Sequence, residues 1–412
     1  MKRLILCLAV ACSGGVLAEN MTQAIAIGNV ALRQDRGTQK VYVTYDLSND
    51  GDAPAYVILD ILTNGVSIGR TNVKTISGDV SDYDLTQTVA VGTGKQIVWD
   101  ARRDWKGNLS SNATARVTAY YAEHLNQIPG VYMKIDLSGG SSAASYPVSY
   151  SLAGPNMSDA ASYTKNTLWL RRCEPGVFIM GSPASEVGHN TSGNEGQHQV
   201  TLNDAFFLSV FEVTEGQYKQ VMGTCPSSNG DTRPAVKCGY NTLRGTTYSW
   251  PQSSEVDEGT FFFKLRARTP LANVDLPTEA QWEYACRAGC TNGYYNGLNP
   301  TTTTGTDSNL TPIAWYNRVD CAGLQPVGGK LPNDWGFYDM LGNAYEAVLD
   351  WFADDVSSYT VDPVGATSGT ARILRGGSWD TQPSWNRCAW RLSWGHASNH
   401  ASQGFRVCWT VR

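Results

Sequence analysis

The sequence predicts an all-β N-terminal part followed by an α+β part with little regular secondary structure. Three observations predict it. Between Ala24 and about Glu123, short runs alternate apolar and polar residues with the period of two that marks a half-buried strand. Beyond Thr167 the chain is loop-like and dense in glycine and tryptophan, with one well-signalled helix at Leu276–Cys286. The chain carries 41 Gly and 13 Trp in 412 residues, which is too long for one ordinary domain. The composition is globular, with 42% hydrophobic and 17% charged residues. A net charge of −5 gives no electrostatic footprint for nucleic acid.

Residues 1–18 read as an export signal. Lys2 and Arg3 precede the apolar run Leu4–Val10, and Val16-Leu17-Ala18 offers a small-residue cleavage site. That run is too short to span a bilayer, and no later stretch reads as transmembrane. The mature protein is expected to be exported, whether secreted, periplasmic or on the cell surface. Cleavage before Cys12 would instead make it a lipoprotein. Eight cysteines follow the leader: Cys173, Cys225, Cys238, Cys286, Cys290, Cys321, Cys388 and Cys408. An even number in an exported chain favours disulfides. No Cys-x2-Cys pair points to zinc.

In chain order, Val41, Val43, Tyr45 and Leu47 alternate with polar residues, and turns follow at Asn49-Asp-Gly51 and Asn64-Gly65. Further strands are expected at Tyr56–Leu62, Gln87–Val91, Lys95–Trp99 and Ala113–Tyr121, with no helix signal among them. Short strands at this spacing suit a two-sheet β-sandwich over 19–124, read as a carbohydrate- or partner-binding module or as a spacer. Residues 125–166 read as a linker through Gly139–Ser145 and Ala153–Asn156, although Val131–Leu137 and Tyr146–Leu152 could each be a strand.

The second domain spans 167–412. Phe178–Ser182 is a strand entering a turn, Val200–Val213 is strand-like, and Thr214-Glu-Gly-Gln217 reads as a capping box. In the clear helix, Thr278 is the N-cap, Gln281 sits at N3 and Gly289 ends it. Trp282, Ala285 and Cys286 share one face, which predicts its burial. The two glycines of Leu374-Arg-Gly-Gly-Ser-Trp379 would each cost about 1 kcal/mol inside a helix, so they mark a strand end and a sharp turn. Trp379, Trp385, Trp390, Trp394 and Trp409 follow, and Gly404–Val411 reads as one closing strand.

Six ordered motifs carry a resemblance across about 167–412. They are Phe178-Ile-Met-Gly-Ser182, Phe211-Glu-Val-Thr214, Leu276-Pro-Thr-Glu-Ala-Gln-Trp-Glu-Tyr284, Pro332-Asn-Asp-Trp-Gly-Phe-Tyr-Asp-Met-Leu-Gly-Asn343, Leu374–Trp379 and Gly404-Phe-Arg406. Together they resemble the formylglycine-generating enzyme (sulfatase-modifying factor) family, which implies that family's C-type-lectin-related α+β fold.

Active members resemble one another in using two cysteines after the Gly-Gly-Ser to bind copper and oxidise a sulfatase cysteine to formylglycine. Soft thiolates suit Cu(I). Here Thr381 stands where the first of that pair is expected, and Cys388 matches a structural cysteine of an Arg-Cys-Ala motif. The catalytic pair is unmatched, which argues against copper. For Cys388 the resemblance implies a disulfide with Cys286. Our own pairing of the rest is Cys225 with Cys238, Cys290 with Cys321, and Cys173 with Cys408.

The resemblance also implies a structural calcium held by the side chains of Asp339 and Glu346 and the carbonyls of Gly342 and Ala344. His396 and His400 could ligate a metal if they shared a helix, which the intervening Ser398 and Asn399 disfavour. The expected function is that of a non-oxidising protein that binds a peptide or carbohydrate through Trp379, Asp380, Trp385, Trp394, His396 and Asn399, or that serves as a surface protein. The alternative is a formylglycine-generating-type oxidase.

Overall fold

The structure is a computed structural model that describes residues 25–411 except 109, 111, 191–194, 319–320, 355, 357, 396 and 398. The expected leader and Cys12 therefore lie outside the described residues. The chain divides into two compact units, one of residues up to 81 with 87–122, the other of 82–86 with 123 onward.

The first unit contains β1 (Ala26–Gln34), β2 (Val41–Ser48), β3 (Tyr56–Thr63), β4 (Val66–Ser67), β5 (Ile76–Gly78), β6 (Gly92–Trp99), the short helix α1 (Ala101–Asp104) and β7 (Ala113–Tyr120). A four-stranded sheet runs β1-β2-β6-β5 and a three-stranded one β4-β3-β7, all antiparallel. The period-two pattern dictates the burial. Val41, Val43, Tyr45 and Leu47 of β2 are buried with Val57, Leu59 and Ile61 of β3, Ile97 and Trp99 of β6, and Val117 of β7, in one apolar cluster.

Two expectations change here. Residues 87–91 make a single bridge, Ala55 to Val89, rather than a strand. Pairing stops there because the main chain of Val57 is already taken by Ser81, whose hydroxyl accepts its N–H and whose own N–H donates to its carbonyl. A helix also forms where none was signalled. Asp100 caps α1, and the Asp104 carboxylate ties it back to Thr75 and to the Trp99 indole.

The second unit takes in the whole of the expected linker. Strands β8 (Tyr132–Asp136) and β9 (Val148–Ser151) join β10 (Thr167–Cys173), and β11 (Gly176–Met180), β12 (His198–Leu202) and β13 (Phe206–Ser209) follow. Helices α2 (Glu215–Met222), α3 (Tyr240–Arg244), α4 (Phe261–Arg268) and α5 (Glu279–Arg287) come next. Strands β14 (Tyr345–Trp351), β15 (Ala371–Arg375), β16 (Leu392–Gly395), β17 (Gln403–Phe405) and β18 (Cys408–Thr410) complete the unit. The sheets are β18-β13-β10-β8-β9, β11-β12 and β16-β15-β14-β17, the last with β14 and β17 parallel. The expected closing strand is thus two short strands in different sheets, and the expected strand at 200–213 is two strands with a turn between them.

Both capping boxes form as the sequence spacing dictates, Thr214 with Gln217 and Thr278 with Gln281. Ala288 rather than Gly289 takes the left-handed cap of α5, at φ 48°. All nine residues of α5 are buried, not one face. A helix can bury its polar side only if its charges are matched. Glu283 accepts from Arg287 at 2.8 Å and from Arg375, and Glu279 accepts from Arg391 at 2.6 Å. Arg244 and Arg266 share Asp275, while Arg387 holds Glu186 and Glu195. Each guanidinium presents a fork of donors that also reaches main-chain carbonyls, such as Ala389 and Trp390 from Arg375.

Candidate functional site

The site grows from the end of β15. Gly376 and Gly377 follow it at φ 87° and 75°, and a Cβ on Gly377 would lie 2.4 Å from Asn386 Oδ1. Glycine lets the chain turn this closely, and it delivers Ser378–Thr381 as a tight loop. Thr381 is locked inside it. Its hydroxyl accepts from the Ser378 N–H at 2.9 Å and from Asn386 Nδ2 at 3.0 Å, and donates to the Ser378 carbonyl at 2.8 Å.

Asp380 faces outward, with Ser378 Oγ donating to one oxygen at 2.5 Å and Ser402 Oγ to the other at 3.4 Å. The Ser402 N–H donates to His400 Nδ1 at 3.2 Å, so the neutral ring carries its proton on Nε2. His400 meets the Trp394 ring edge to face, centroids 5.0 Å apart. Asn399 Oδ1 accepts from the Gly239 N–H at 2.9 Å and the Thr242 hydroxyl at 3.0 Å. Trp379 is half-buried against Val236, Leu324 and Ala344.

Of the six expected ligand residues, Asp380, Trp394 and Asn399 are thus brought onto one strip through His400 and Ser402, and Trp379 adjoins Asp380 in sequence. Trp385 stacks instead on Trp390 at 5.4 Å and 11°. His396 lies outside the described residues. Sequence reasoning gave Ser402 no role and weighed His400 only as a metal ligand. Residues 399 and 400 are irregular rather than helical.

The residues expected to hold calcium are gathered but differently engaged. Both oxygens of Glu346 accept from Arg406 Nε, at 2.8 and 2.9 Å, and one also accepts from Trp282 Nε1 at 2.6 Å. The Ala344 N–H donates to Glu212 Oε1 at 2.8 Å and Asn343 Nδ2 to Glu212 Oε2 at 2.7 Å. Asp339 accepts from the Gly328 N–H at 2.6 Å, and its other oxygen has no partner. Burial pushes the Asp339 carboxyl up to about 6, and burial with the neighbouring Asp339 and Glu346 charges pushes Glu212 well up. Arg406 and Trp282 thus already engage the Glu346 carboxylate, while one oxygen of Asp339 is left open. No group of three or more His, Cys, Asp or Glu side chains among the described residues is placed to hold a metal.

No S–S bond joins any of the eight cysteines after the leader in this structure. The sulfurs of Cys286 and Cys388 are 3.7 Å apart, both fully buried, and burial pushes the Cys286 thiol well up. Cys173 sits on β10 opposite Phe206, while Cys408 sits on β18 opposite Leu208, with β13 between them. Two strand spacings make roughly 10 Å, beyond the roughly 7 Å a disulfide tolerates between Cα atoms. That expected pair is kept apart by the sheet. Cys290 lies beside Asn292 and the Tyr294 carbonyl, and Cys321 beside the Gly323 carbonyl. No described helix is long and apolar enough to cross a membrane.

Among known proteins, the chain is 25% identical over 319 residues to a formylglycine-generating enzyme of Mus musculus, covering 65% of this chain and 82% of that one. It is 36% identical over 149 residues to a formylglycine-generating enzyme of Streptomyces coelicolor, covering 33% of this chain and 46% of that one. Among solved structures, PvdO from Pseudomonas aeruginosa aligns at 24% identity with a TM-score of 0.48, over 59% of this chain and 95% of that one. Residues 156–411, well over half of the chain, match the sulfatase-modifying factor enzyme 1-like domain, and the chain belongs to that family.

Proposed function

We propose that the second unit is a ligand-binding member of this family that does not carry out copper–thiolate oxidation. The observation that carries this reading is the state of the loop after the Gly-Gly turn. Thr381 occupies the position of the first catalytic cysteine, and its hydroxyl is consumed by three hydrogen bonds within the loop. The segment's one cysteine, Cys388, is fully buried beside Cys286 and serves the core. A thiol shut away from solvent is a poor copper ligand and a poor nucleophile.

The ligand surface is the strip of Trp379, Asp380, Trp394, Asn399 and His400. Two large ring systems beside an outward carboxylate suit a peptide with a basic side chain or a sugar with paired hydroxyls. Trp385 and His396 flank the strip in sequence. The protein is taken to work outside the cytoplasm, with a Cys286–Cys388 link as a core fastening.

Two measurements test the reading. Copper-loaded protein incubated with a cysteine-containing sulfatase peptide should leave that cysteine unconverted by mass spectrometry; conversion above a copper-only control would overturn the proposal. Immobilised glycans and peptides should yield a ligand whose binding falls on the order of tenfold or more in Trp394→Ala and Asp380→Ala. Equal binding by both variants would remove this strip as the site.

A further inference from the structure

The segment that backs the strip carries two cysteines, Cys225 and Cys238. We propose that Cys225 and Cys238 form a disulfide that fastens the end of α2 to the main-chain rail carrying the ligand strip. The proposal rests on the reading of that strip as a binding surface, but the link itself does not.

The rail is Ala235–Gly239. The Lys237 N–H donates to the His400 carbonyl at 3.2 Å, and the Cys238 N–H to the Gln403 carbonyl at 3.2 Å. The Gly239 N–H donates to Asn399 Oδ1 at 2.9 Å. Three successive residues therefore hold the stretch 399–403 that bears Asn399, His400 and Ser402. Lys237 is exposed and sits at φ 61°, an unfavourable conformation for a residue with a side chain, so the rail needs support from elsewhere.

That support converges on the two sulfurs. Cys225 Sγ is 3.5 Å from Ser227 Oγ, which accepts from the Val236 N–H at 3.1 Å. Cys238 Sγ is 3.4 Å from the Val236 carbonyl. Both sulfurs thus bracket the same Ser227–Val236 contact. Cys225 is half-buried, whereas Cys238 is wholly buried. An accessible first thiol and a shielded second one suit stepwise exchange.

The chemistry balances with a thiol–disulfide carrier as oxidant. The Cys225 thiolate attacks the carrier disulfide and releases one carrier thiol. Cys238, losing its proton, then attacks the mixed disulfide at the Cys225 sulfur and releases the second carrier thiol. Two electrons and two protons pass to the carrier, and one intramolecular S–S bond forms.

The test uses the full-length protein, alkylated without reductant after purification from an oxidising compartment and then digested with trypsin. A peptide joining 220–237 to 238–244 is expected, and alkylated Cys225 and Cys238 in two separate peptides would overturn the proposal. The fastening role has its own readout in limited proteolysis after Lys237. Cys225→Ser, which replaces the more exposed partner and leaves the buried one, should raise that cleavage rate on the order of tenfold without changing cleavage in residues 25–122. Wild-type protein treated with reductant should match it. An unchanged rate in both cases would show that the link does not hold the rail. A mapped link alongside failed ligand binding would leave this proposal standing and remove only the function assigned to the strip.

Discussion

The two units are held together by different physics. The first is a stack of period-two strands whose core is apolar, and its ion pairs lie at the surface: Arg116 with Asp60 has half of the Arg116 side chain exposed, and Lys95 with Asp79 leaves 40% of the Asp79 side chain exposed. The second places guanidinium–carboxylate pairs inside the core, where Arg375, Arg387 and Arg406 have no exposed surface. A buried pair is costly to desolvate and damaging to break, because removing one partner strands the other charge. A surface pair is screened by water and contributes little. The comparison teaches that a unit whose sheets are joined by long irregular stretches can be braced by long-range ion pairs set inside its apolar core.

The comparison is broken most directly at Arg375. Arg375→Met leaves Glu283 with Arg287 alone and should destabilise the second unit by about 3–5 kcal/mol in urea unfolding. A loss below about 1 kcal/mol would mean that the buried network does not brace this unit.

Cys286→Ala comes next, with an expected loss of about 2–4 kcal/mol in oxidised protein and a smaller one under reductant. Equal losses in both conditions would assign the effect to packing around the 3.7 Å sulfur contact.

The third prediction concerns pH. Burial and the nearby Glu279 charge push the Asp350 carboxyl up to about 7, while its unfolded value is near 4. The folded state therefore binds the extra proton between those values. Its contribution is present below about pH 4 and is lost as pH rises through about 7. Asp350→Asn keeps an acceptor for the Glu279 N–H, so the variant should gain stability relative to wild type as pH rises from 5 to 8. The gain should be of order 1–4 kcal/mol. Parallel stability–pH curves for the two proteins would show that Asp350 titrates normally.

The smallest effect sharpens the contrast from the other side. Arg116→Ala, at the exposed Asp60 pair of the first unit, should cost about 0.2–1 kcal/mol and fade in high salt. A loss as large as that of Arg375→Met would erase the distinction between the units.

Much of the site's frame was legible because its signals are local. Thr278 and Gln281 are three residues apart, and the Gly-Gly turn, the ordered motifs and Thr381 are read directly from the string. The strip itself was half legible. Trp394 and Asp380 stand out as residue types, but Ser402 carries no signal until the fold sets its hydroxyl against Asp380. Trp385 looked equivalent to Trp394, and the fold stacks it on Trp390 while leaving it exposed.

By itself the sequence determined strands β2, β3, β6 and β7 of the first unit, the two capped helices, the turn after β15 and the lack of a cysteine at position 381. Only the tertiary structure decided that the two strand-like stretches of 125–166 join the sheet of the second unit, that the closing segment splits between two sheets, and that β13 separates Cys173 from Cys408. It also decided that Arg406 compensates Glu346, and that Arg387 finds Glu195 across 192 residues of chain. Capping and periodicity act between residues a few positions apart, so composition and spacing encode them. Charge pairing in a core depends on which distant segments the fold brings within hydrogen-bonding reach, and no local pattern carries that information.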